Sequence, residues 1–197
     1  MATRLSIFTI GHSNHSVERF VELLEAHHIN LIVDVRSHPH SRFAPHFNRE
    51  SLKHSLASAN RAYRFLGAEL GGRPEGSAFY DDEGHVLYGK VAETDAFAAG
   101  INRVETDATG HRVALMCSEE DPSGCHRRLL VSRVLRDRGV TVIHIRGNGS
   151  LVDENDLISA DQARSAQTSL FDQDQEDAWR SIQSVSPRRA LKTSSSS

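Results

Sequence analysis

The chain of 197 residues has little cysteine and no long hydrophobic run: it has two cysteines, one tryptophan and five prolines. Two cysteines cannot build the disulfide framework of a small secreted domain. No apolar run approaches the roughly 20 residues that span a bilayer, and the N-terminal residues show no apolar signal segment. We therefore expect a cytoplasmic protein that does not bind membranes, in which the cysteines are free thiols or metal ligands.

Lysine is also scarce, and the charges are unevenly distributed. Residues 1–150 contain 16 arginines, two lysines and all twelve histidines. Arginine makes bidentate contacts with phosphate or carboxylate groups, which favours an anionic ligand, although arginine usage also follows genomic base composition. The same segment has 18 basic and 18 acidic side chains, whereas residues 151–197 have five and eight. The net charge of -3 therefore comes from the C-terminal segment.

Hydrophobic patterns typical of strands and helices alternate along residues 1–150. Short apolar runs predict strands at 6–10, 31–35, 63–66, 113–117 and 140–145. Helical spacing predicts a helix that begins at Ser16 and further helices at 50–60, 88–106 and 125–138. We predict one α/β domain with a Rossmann-like, open, mostly parallel sheet flanked by helices. Residues 151–197 are polar and acidic, and we predict a disordered C-terminal tail there.

Both cysteines lie in one polar loop between a buried-type strand and an amphipathic helix. The strand ends at Cys117, a turn follows at Asp121-Pro-Ser-Gly124, and the helix begins near Cys125. Open α/β sheets bind ligands at the carboxyl ends of their strands and the amino ends of the following helices. We therefore expect a functional site at this loop.

Polar residues at other strand ends and in adjoining loops are expected to share the cleft. The candidate catalytic residues are His12, Asp34, Cys117, Glu119, Cys125 and His126. The candidate substrate- or anion-binding residues are Ser13, Arg36, Arg42, Arg73 and Arg127. The alternative is that Asp34 and Arg36 pair with their neighbours and that Cys117 is a small buried residue.

The spacing of these residues tests several kinds of chemistry. A phosphatase-type cysteine loop has an arginine six positions after the nucleophile, where this chain has Ser123. Zinc could be bound by Cys117, Cys125, His126 and His12. However, seven residues between the cysteines is an uncommon spacing, and adjacent cysteine and histidine rarely bind one ion well. We therefore predict no metal ligand and leave the cofactor open.

Two further roles stay open for the loop. A helix N-terminus and Arg127 would stabilise a thiolate at Cys125, which is otherwise a packed thiol in the first helical turn. Glu119 or Asp34 as a general base, with Arg36 and Arg127 binding an anion, requires no cysteine chemistry.

Four motifs occur in a fixed order along residues 5–150. They are Gly11-His12-Ser13, Asp34-Val-Arg36-Ser-His-Pro39 with Ser41-Arg42, Leu66-Gly-Ala-Glu-Leu-Gly-Gly-Arg73-Pro74, and Cys117-Ser-Glu-Glu-Asp-Pro-Ser-Gly-Cys125-His-Arg127. Together they resemble domain-of-unknown-function family 488. The resemblance implies an α/β domain with a shared cleft, and it implies no particular reaction.

A short peptide in the tail suggests a partner. Gln167-Thr-Ser-Leu170-Phe171 resembles the peptide with which many bacterial DNA polymerases and repair proteins bind the sliding clamp. In such a peptide, Leu170 and Phe171 would enter an apolar pocket while Gln167 hydrogen-bonds at its edge. The alternative is that the hydrophobic pair folds back on the domain.

These features favour an enzyme that acts on DNA or a nucleotide, a hydrolase or transferase with a base-processing or repair role. In this hypothesis Asp34 or Glu119 activates water or a sugar carbon, and His12 and His126 transfer protons. The anion is bound by Arg36, Arg42 and Arg127. The balanced charge of residues 1–150 argues against tight nonspecific DNA binding.

Two other classes of function fit the same residues. One is a noncatalytic module that senses a nucleotide or small anion and recruits a partner through its tail. The other is a thiol-dependent or redox enzyme that uses Cys117 and Cys125.

Overall fold

The apolar runs of the sequence become neighbouring strands of one sheet in the computed structural model, which describes residues 5–168 and 179–185. Strands β1 to β6 are Ser6–Gly11, Leu31–Asp34, Ala62–Phe65, Val113–Cys117, Thr141–Ile145 and Leu151–Asp153. Their order across the sheet is β3-β2-β4-β1-β5-β6. The first five are parallel, and β6 is antiparallel to β5. The predicted α/β fold with a mostly parallel sheet is confirmed.

Helices cover both faces of this sheet. Helices α1 to α7 are Val17–Ala26, Arg49–Ser58, Gly67–Leu70, Tyr88–Ala92, Asp95–Gly110, Arg133–Asp137 and Glu154–Thr168. Short 3-10 turns occur at Pro45–Phe47 and Ser77–Phe79, and a π-helical turn at Arg127–Ser132 leads into α6. No helix among residues 5–168 and 179–185 is long and apolar enough to cross a membrane.

Alternate side chains of the strands enter two separate cores. Ile7 and Leu115 pack in the core beneath α5 and α6, whereas Phe8 and Met116 pack in the core beneath α1 and α2. Because both faces of the central strands are buried, their sequences are continuously apolar rather than alternating. This explains why apolar runs of four to six residues predicted the parallel strands.

Capping groups set several helix ends. The Ser16 hydroxyl accepts a hydrogen bond from the backbone N–H of Arg19, which confirms the predicted start of α1. The single helix predicted at 88–106 is instead divided into α4 and α5, because Thr94 caps α5 through the backbone N–H of Phe97. The helix predicted at 125–138 begins with the π-helical turn, where the Ser132 hydroxyl donates to the carbonyl of Arg127.

The C-terminal segment differs from the expected disordered tail over the residues that the structure describes. Strand β6 and helix α7 form within it, and Arg128 ties α7 to the domain by ion pairs of 3.1 Å to Glu154 and 2.7 Å to Asp161. Residues 179–185 also pack on the domain, where the Trp179 indole donates to the carbonyl of Leu129 at 2.7 Å. These partners lie far away in the sequence, so local composition could not reveal them.

The predicted sliding-clamp peptide is only partly within the described chain. Gln167 is in the last turn of α7 by its backbone, whereas Leu170 and Phe171 lie outside the described residues. The peptide and its proposed partner therefore stay predictions from the sequence.

The carboxyl ends of β1 and β4 meet at the edge that carries the predicted site. The backbone N–H groups of His12 and Ser13 donate to the carbonyls of Cys117 and Ser118 at 2.9 and 2.8 Å. A Cβ atom on Gly11 would overlap the carbonyl oxygen of Glu119. Gly11 therefore allows the loop after β4 to cross close to the end of β1.

We expect Gly11→Ala to lower the free energy of unfolding by about 1–3 kcal/mol, because the added methyl group collides with backbone that cannot rotate away. Urea unfolding followed by circular dichroism measures this change. Gly110→Ala is the matched control, since nothing lies within 4 Å of a Cβ at this helical position. Equal stability of the two variants would contradict the close approach at Gly11.

Candidate functional site

The loop after β4 folds back so that its two ends meet. The Asp121 carboxylate accepts from the backbone N–H of Ser123 at 2.8 Å, and the N–H of Cys125 donates to the carbonyl of Pro122 at 3.0 Å. These local turns reverse the chain within a few residues. As a result, Cys125 returns to the end of the strand that Cys117 terminates.

A buried arginine fixes this loop from below. Arg127 is 0% exposed, and its guanidinium donates to the carbonyls of Glu119 and Glu120 and, at 3.3 Å, to the Thr9 hydroxyl. Its donors thus bind the protein's own backbone. The structure places Arg127 beneath the loop rather than in the cleft where an anion would bind.

The two thiols and one imidazole form a compact cluster. The sulfur atoms of Cys117 and Cys125 lie 3.7 and 3.9 Å from Nδ1 of His126. Nε2 of His126 lies 2.9 Å from the carbonyl oxygen of Val35, to which it donates. Both cysteines are buried and free, so no disulfide joins them.

The pKa values of the three groups in the cluster are shifted in different directions. The hydrogen bond from Cys125 lowers the pKa of Cys117 well below its usual value, and the charges of His126 and Arg127 add to this effect. Burial, together with the neighbouring Cys117, raises the pKa of Cys125. Burial acts to lower the pKa of His126, but Cys117 outweighs it and the pKa is raised. Cys117 is therefore the thiol that ionises more easily.

Asp34 and Arg36 form a buried pair at the end of β2. The Arg36 guanidinium donates to both carboxylate oxygens of Asp34, at 2.9 and 2.7 Å. The carboxylate also accepts from the Tyr63 hydroxyl at 2.8 Å, and Arg36 donates to the carbonyl of Phe47 at 2.9 Å. Asp34 is 0% exposed with its acceptor sites occupied. This geometry favours the structural alternative for the pair over a general base at Asp34.

His12 completes this buried group. Its Nδ1 lies 2.8 Å from the carbonyl of Ser13, its Nε2 lies 3.1 Å from Arg36, and its ring stacks on Phe47 at 4.3 Å. Burial and the positive charge of Arg36 lower the pKa of His12 to about 4. The imidazole is therefore neutral at pH 7, where it donates to Ser13 and accepts from Arg36.

A cleft of about 840 Å³ opens above the cluster. Five of the predicted site residues line it: Arg36, Arg73, Cys117, Glu119 and His126. The other predicted residues do not line it, namely His12, Ser13, Asp34, Arg42, Cys125 and Arg127. Arg42 is exposed, whereas Asp34, Cys125 and Arg127 are buried beneath the cleft.

Sequence reasoning missed several residues of this site. Tyr80, Tyr88, Ser181 and Gln183 line the cleft, and Tyr63 binds Asp34. Ser181 and Gln183 reach the cleft from the segment that was expected to be disordered. In the sequence, Tyr63 shows only that a residue with a hydroxyl group lies in a predicted strand. Its hydrogen bond to Asp34 depends on the pairing of β2 with β3, which the sequence does not show.

We expect Asp34→Asn to lower the free energy of unfolding by about 3 kcal/mol, because it leaves the buried Arg36 without its counter-charge. Denaturant unfolding measures the loss. The control is Glu22→Gln, which removes an exposed ion pair with Arg19 and costs less than about 0.5 kcal/mol. Wild-type stability in Asp34→Asn would show that the pair does not hold the structure together.

Comparison with known proteins identifies the family and gives no activity. A search of curated proteins and a search of solved structures each found no match. The family model described as "Domain of unknown function DUF488" matches residues 16–134, which include Asp34, Arg36 and the complete loop from Cys117 to Arg127. The chain therefore belongs to the DUF488 family.

Proposed function

We propose that this protein is a hydrolase that acts on a nucleotide, or on one nucleotide of a single strand, bound in the cleft. The observation that carries the proposal is the combination of Glu119, Arg73 and the thiol-imidazole cluster around a single cavity, where neither charged side chain has an ionic partner within the described chain. In such a cleft the cationic group can bind the substrate while the carboxylate transfers a proton.

The size and lining of the cleft fit a nucleotide. Its volume of about 840 Å³ lies within the range of small-molecule sites. Tyr80 and Tyr88 contribute to its walls, although Tyr88 is almost fully buried, so Tyr80 is the ring with more accessible surface. An aromatic ring beside a cationic group suits a ligand that has both a base and a phosphate.

Arg73 is the group best suited to bind the phosphate. It is exposed in the cleft and has no acidic partner among the residues that the structure describes. Arg36 also lines the cleft, but its guanidinium is already paired with Asp34. An unpaired guanidinium can make a bidentate contact with a phosphate without first breaking an ion pair.

Glu119 is the candidate general base. It lines the cleft next to the cluster, and within the described chain its carboxylate makes no hydrogen bond or ion pair. By contrast, the neighbouring Glu120 is bound to Arg146 at 2.8 Å. A carboxylate with free lone pairs can accept a proton from water in the cleft.

The charge distribution favours a small substrate over a long duplex. The chain has a net charge of -3, and residues 1–150 have equal numbers of basic and acidic side chains. Tight nonspecific binding of duplex DNA requires a broad basic surface. A nucleotide requires only one or two cationic groups.

Binding is tested with a panel of nucleoside monophosphates and short single-stranded oligonucleotides, using isothermal titration calorimetry. We expect Arg73→Ala to weaken binding by at least about 10-fold through loss of the charged hydrogen bonds to phosphate. Arg42→Ala is the matched control, because Arg42 is also exposed but lies outside the cleft lining. If no member of the panel binds, the assignment of the substrate class is wrong, and if both variants bind equally well, Arg73 is not the group that binds the phosphate.

Turnover is tested by chromatography and mass spectrometry of the same panel. We expect Glu119→Gln to lower kcat by about 100-fold or more while leaving binding nearly unchanged, because the amide cannot accept the proton. Glu50→Gln, an exposed carboxylate outside the cleft, serves as the control. Unchanged kcat in Glu119→Gln would exclude this residue as the base.

A further inference from the structure

We propose that Cys117, Cys125 and His126 bind one Zn²⁺ ion and leave its fourth coordination position open to the cleft. Binding of the ion is independent of the proposed function. The catalytic role of the ion rests on that function. The proposal revises the expectation from the sequence, in which the spacing of the cysteines argued against a metal site.

The distances within the cluster match a tetrahedral ion. Sγ of Cys117, Sγ of Cys125 and Nδ1 of His126 all lie within 4.8 Å of one another. Typical Zn–S and Zn–N bonds of about 2.3 and 2.0 Å at tetrahedral angles separate sulfur from nitrogen by roughly 3.5 Å. The observed separations are 3.7 and 3.9 Å, so an ion needs only a small inward movement of the side chains.

The orientation of His126 is also that of a metal ligand. Its Nε2–H donates to the carbonyl of Val35 at 2.9 Å, which leaves the lone pair of Nδ1 directed at the two sulfur atoms. Zinc-binding histidines commonly have such a second hydrogen bond, which fixes the tautomer and the ring plane. A Cβ atom on Gly72 would lie 2.5 Å from Cγ of His126, so the backbone there packs directly on the ring.

The surrounding fold holds the ligands before any ion binds. Arg127 ties down the carbonyls of Glu119 and Glu120, and the turn at Pro122 brings Cys125 back to Cys117. A site that is organised in advance binds metal without a large cost of ordering the loop. The uncommon spacing in the sequence is therefore compensated by the reversal of the loop.

The fourth position faces the cleft. Cys117 and His126 line the cavity, whereas Cys125 lies on its buried side. Among the residues that the structure describes, His12 cannot serve as a fourth ligand, since its two ring nitrogens are occupied by Ser13 and Arg36. Three protein ligands with one open position are typical of catalytic rather than structural zinc.

The donor set selects zinc. Two thiolates and one neutral imidazole balance the charge of a divalent ion, and soft sulfur donors in tetrahedral arrangement favour Zn²⁺ over Mg²⁺ or Ca²⁺. A second group of possible ligands, Asp81, Glu83 and His85, is already joined by ion pairs to Arg180 and within itself. That group therefore has a structural explanation that needs no ion.

In the proposed hydrolysis, a water molecule occupies the open position. Its oxygen forms a bond to the electrophilic carbon or phosphorus of the substrate while one proton passes to Glu119. As the bond to the leaving group breaks, Glu119 returns this proton to the leaving group. The step consumes only water.

The test uses the full chain, purified without chelator, and Zn²⁺ or Co²⁺ alone as the probe. We expect elemental analysis to find one zinc ion per chain. After chelation and addition of Co²⁺, we expect thiolate-to-cobalt charge-transfer absorption and the visible bands of tetrahedral cobalt. Addition of azide, a small anion that enters open positions, should shift the visible bands. No zinc, cobalt spectra without thiolate bands, or bands that azide leaves unchanged would overturn the proposal.

Variants assign the ligands. We expect Cys117→Ser, Cys125→Ser and His126→Gln each to weaken zinc binding by more than about 100-fold, because even loss of a partner that only orients a ligand costs roughly 10- to 100-fold. His38→Ala is the control, since His38 lines the same cleft outside the cluster. Loss of zinc in His85→Ala but not in the cysteine variants would overturn the assignment. Circular dichroism checks folding, and the cobalt spectrum of the wild-type protein gives an answer even where a variant does not fold.

Failure of this proposal is distinguishable from failure of the proposed function. A protein that binds one zinc ion and turns over no nucleotide retains the metal site and loses the substrate assignment. A protein that binds zinc but hydrolyses a nucleotide at full rate after complete removal of metal retains the function and the metal site, and loses only the catalytic role of the ion.

Discussion

The site depends on one buried guanidinium. Arg127 extends from the start of the π-helical turn beneath the loop after β4 and holds the carbonyls of Glu119 and Glu120. Charged groups are rarely fully buried unless they are paired or hydrogen-bonded, and here the protein's own carbonyls satisfy the charge. This contact fixes the path of the loop, and the path of the loop brings Cys125 and His126 to Cys117.

A second buried group supports the neighbouring edge of the sheet. Asp34, Arg36 and Tyr63 connect the end of β2 to β3, and His12 connects them to the end of β1. The sequence predicted Asp34 and His12 as catalytic residues and Arg36 as an anion-binding residue, because they are polar and follow strands. Their hydrogen-bonding capacity is instead used within the fold. Arg73 and Glu119 have free hydrogen-bonding capacity in the cleft, beside the cluster of thiols and imidazole.

Much of the fold could be predicted from the sequence, because buried parallel strands are short continuous apolar runs. The start of α1 at Ser16 is similarly a local feature. Gly139, just after the end of α6, is another, since its φ of +87° suits glycine. The break between α4 and α5 was missed because Thr94 interrupts an apolar pattern that continues across it. Helix α7 was missed because Glu154 is stabilised by Arg128 and His144, which are distant in sequence.

The sequence by itself determined the α/β fold, the edge of the sheet that carries the polar motifs, and membership of the family, whose model matches residues 16–134. The tertiary structure decided which of these polar residues remain available to a ligand. The hydrogen-bonding groups of Asp34 and Arg127 are occupied by contacts inside the protein. Cys117, Cys125 and His126 lie close together although their spacing in the sequence is uncommon for a metal site. The physical reason is that a residue's type fixes what it can bind, but only the folded chain fixes which partners are within hydrogen-bonding distance.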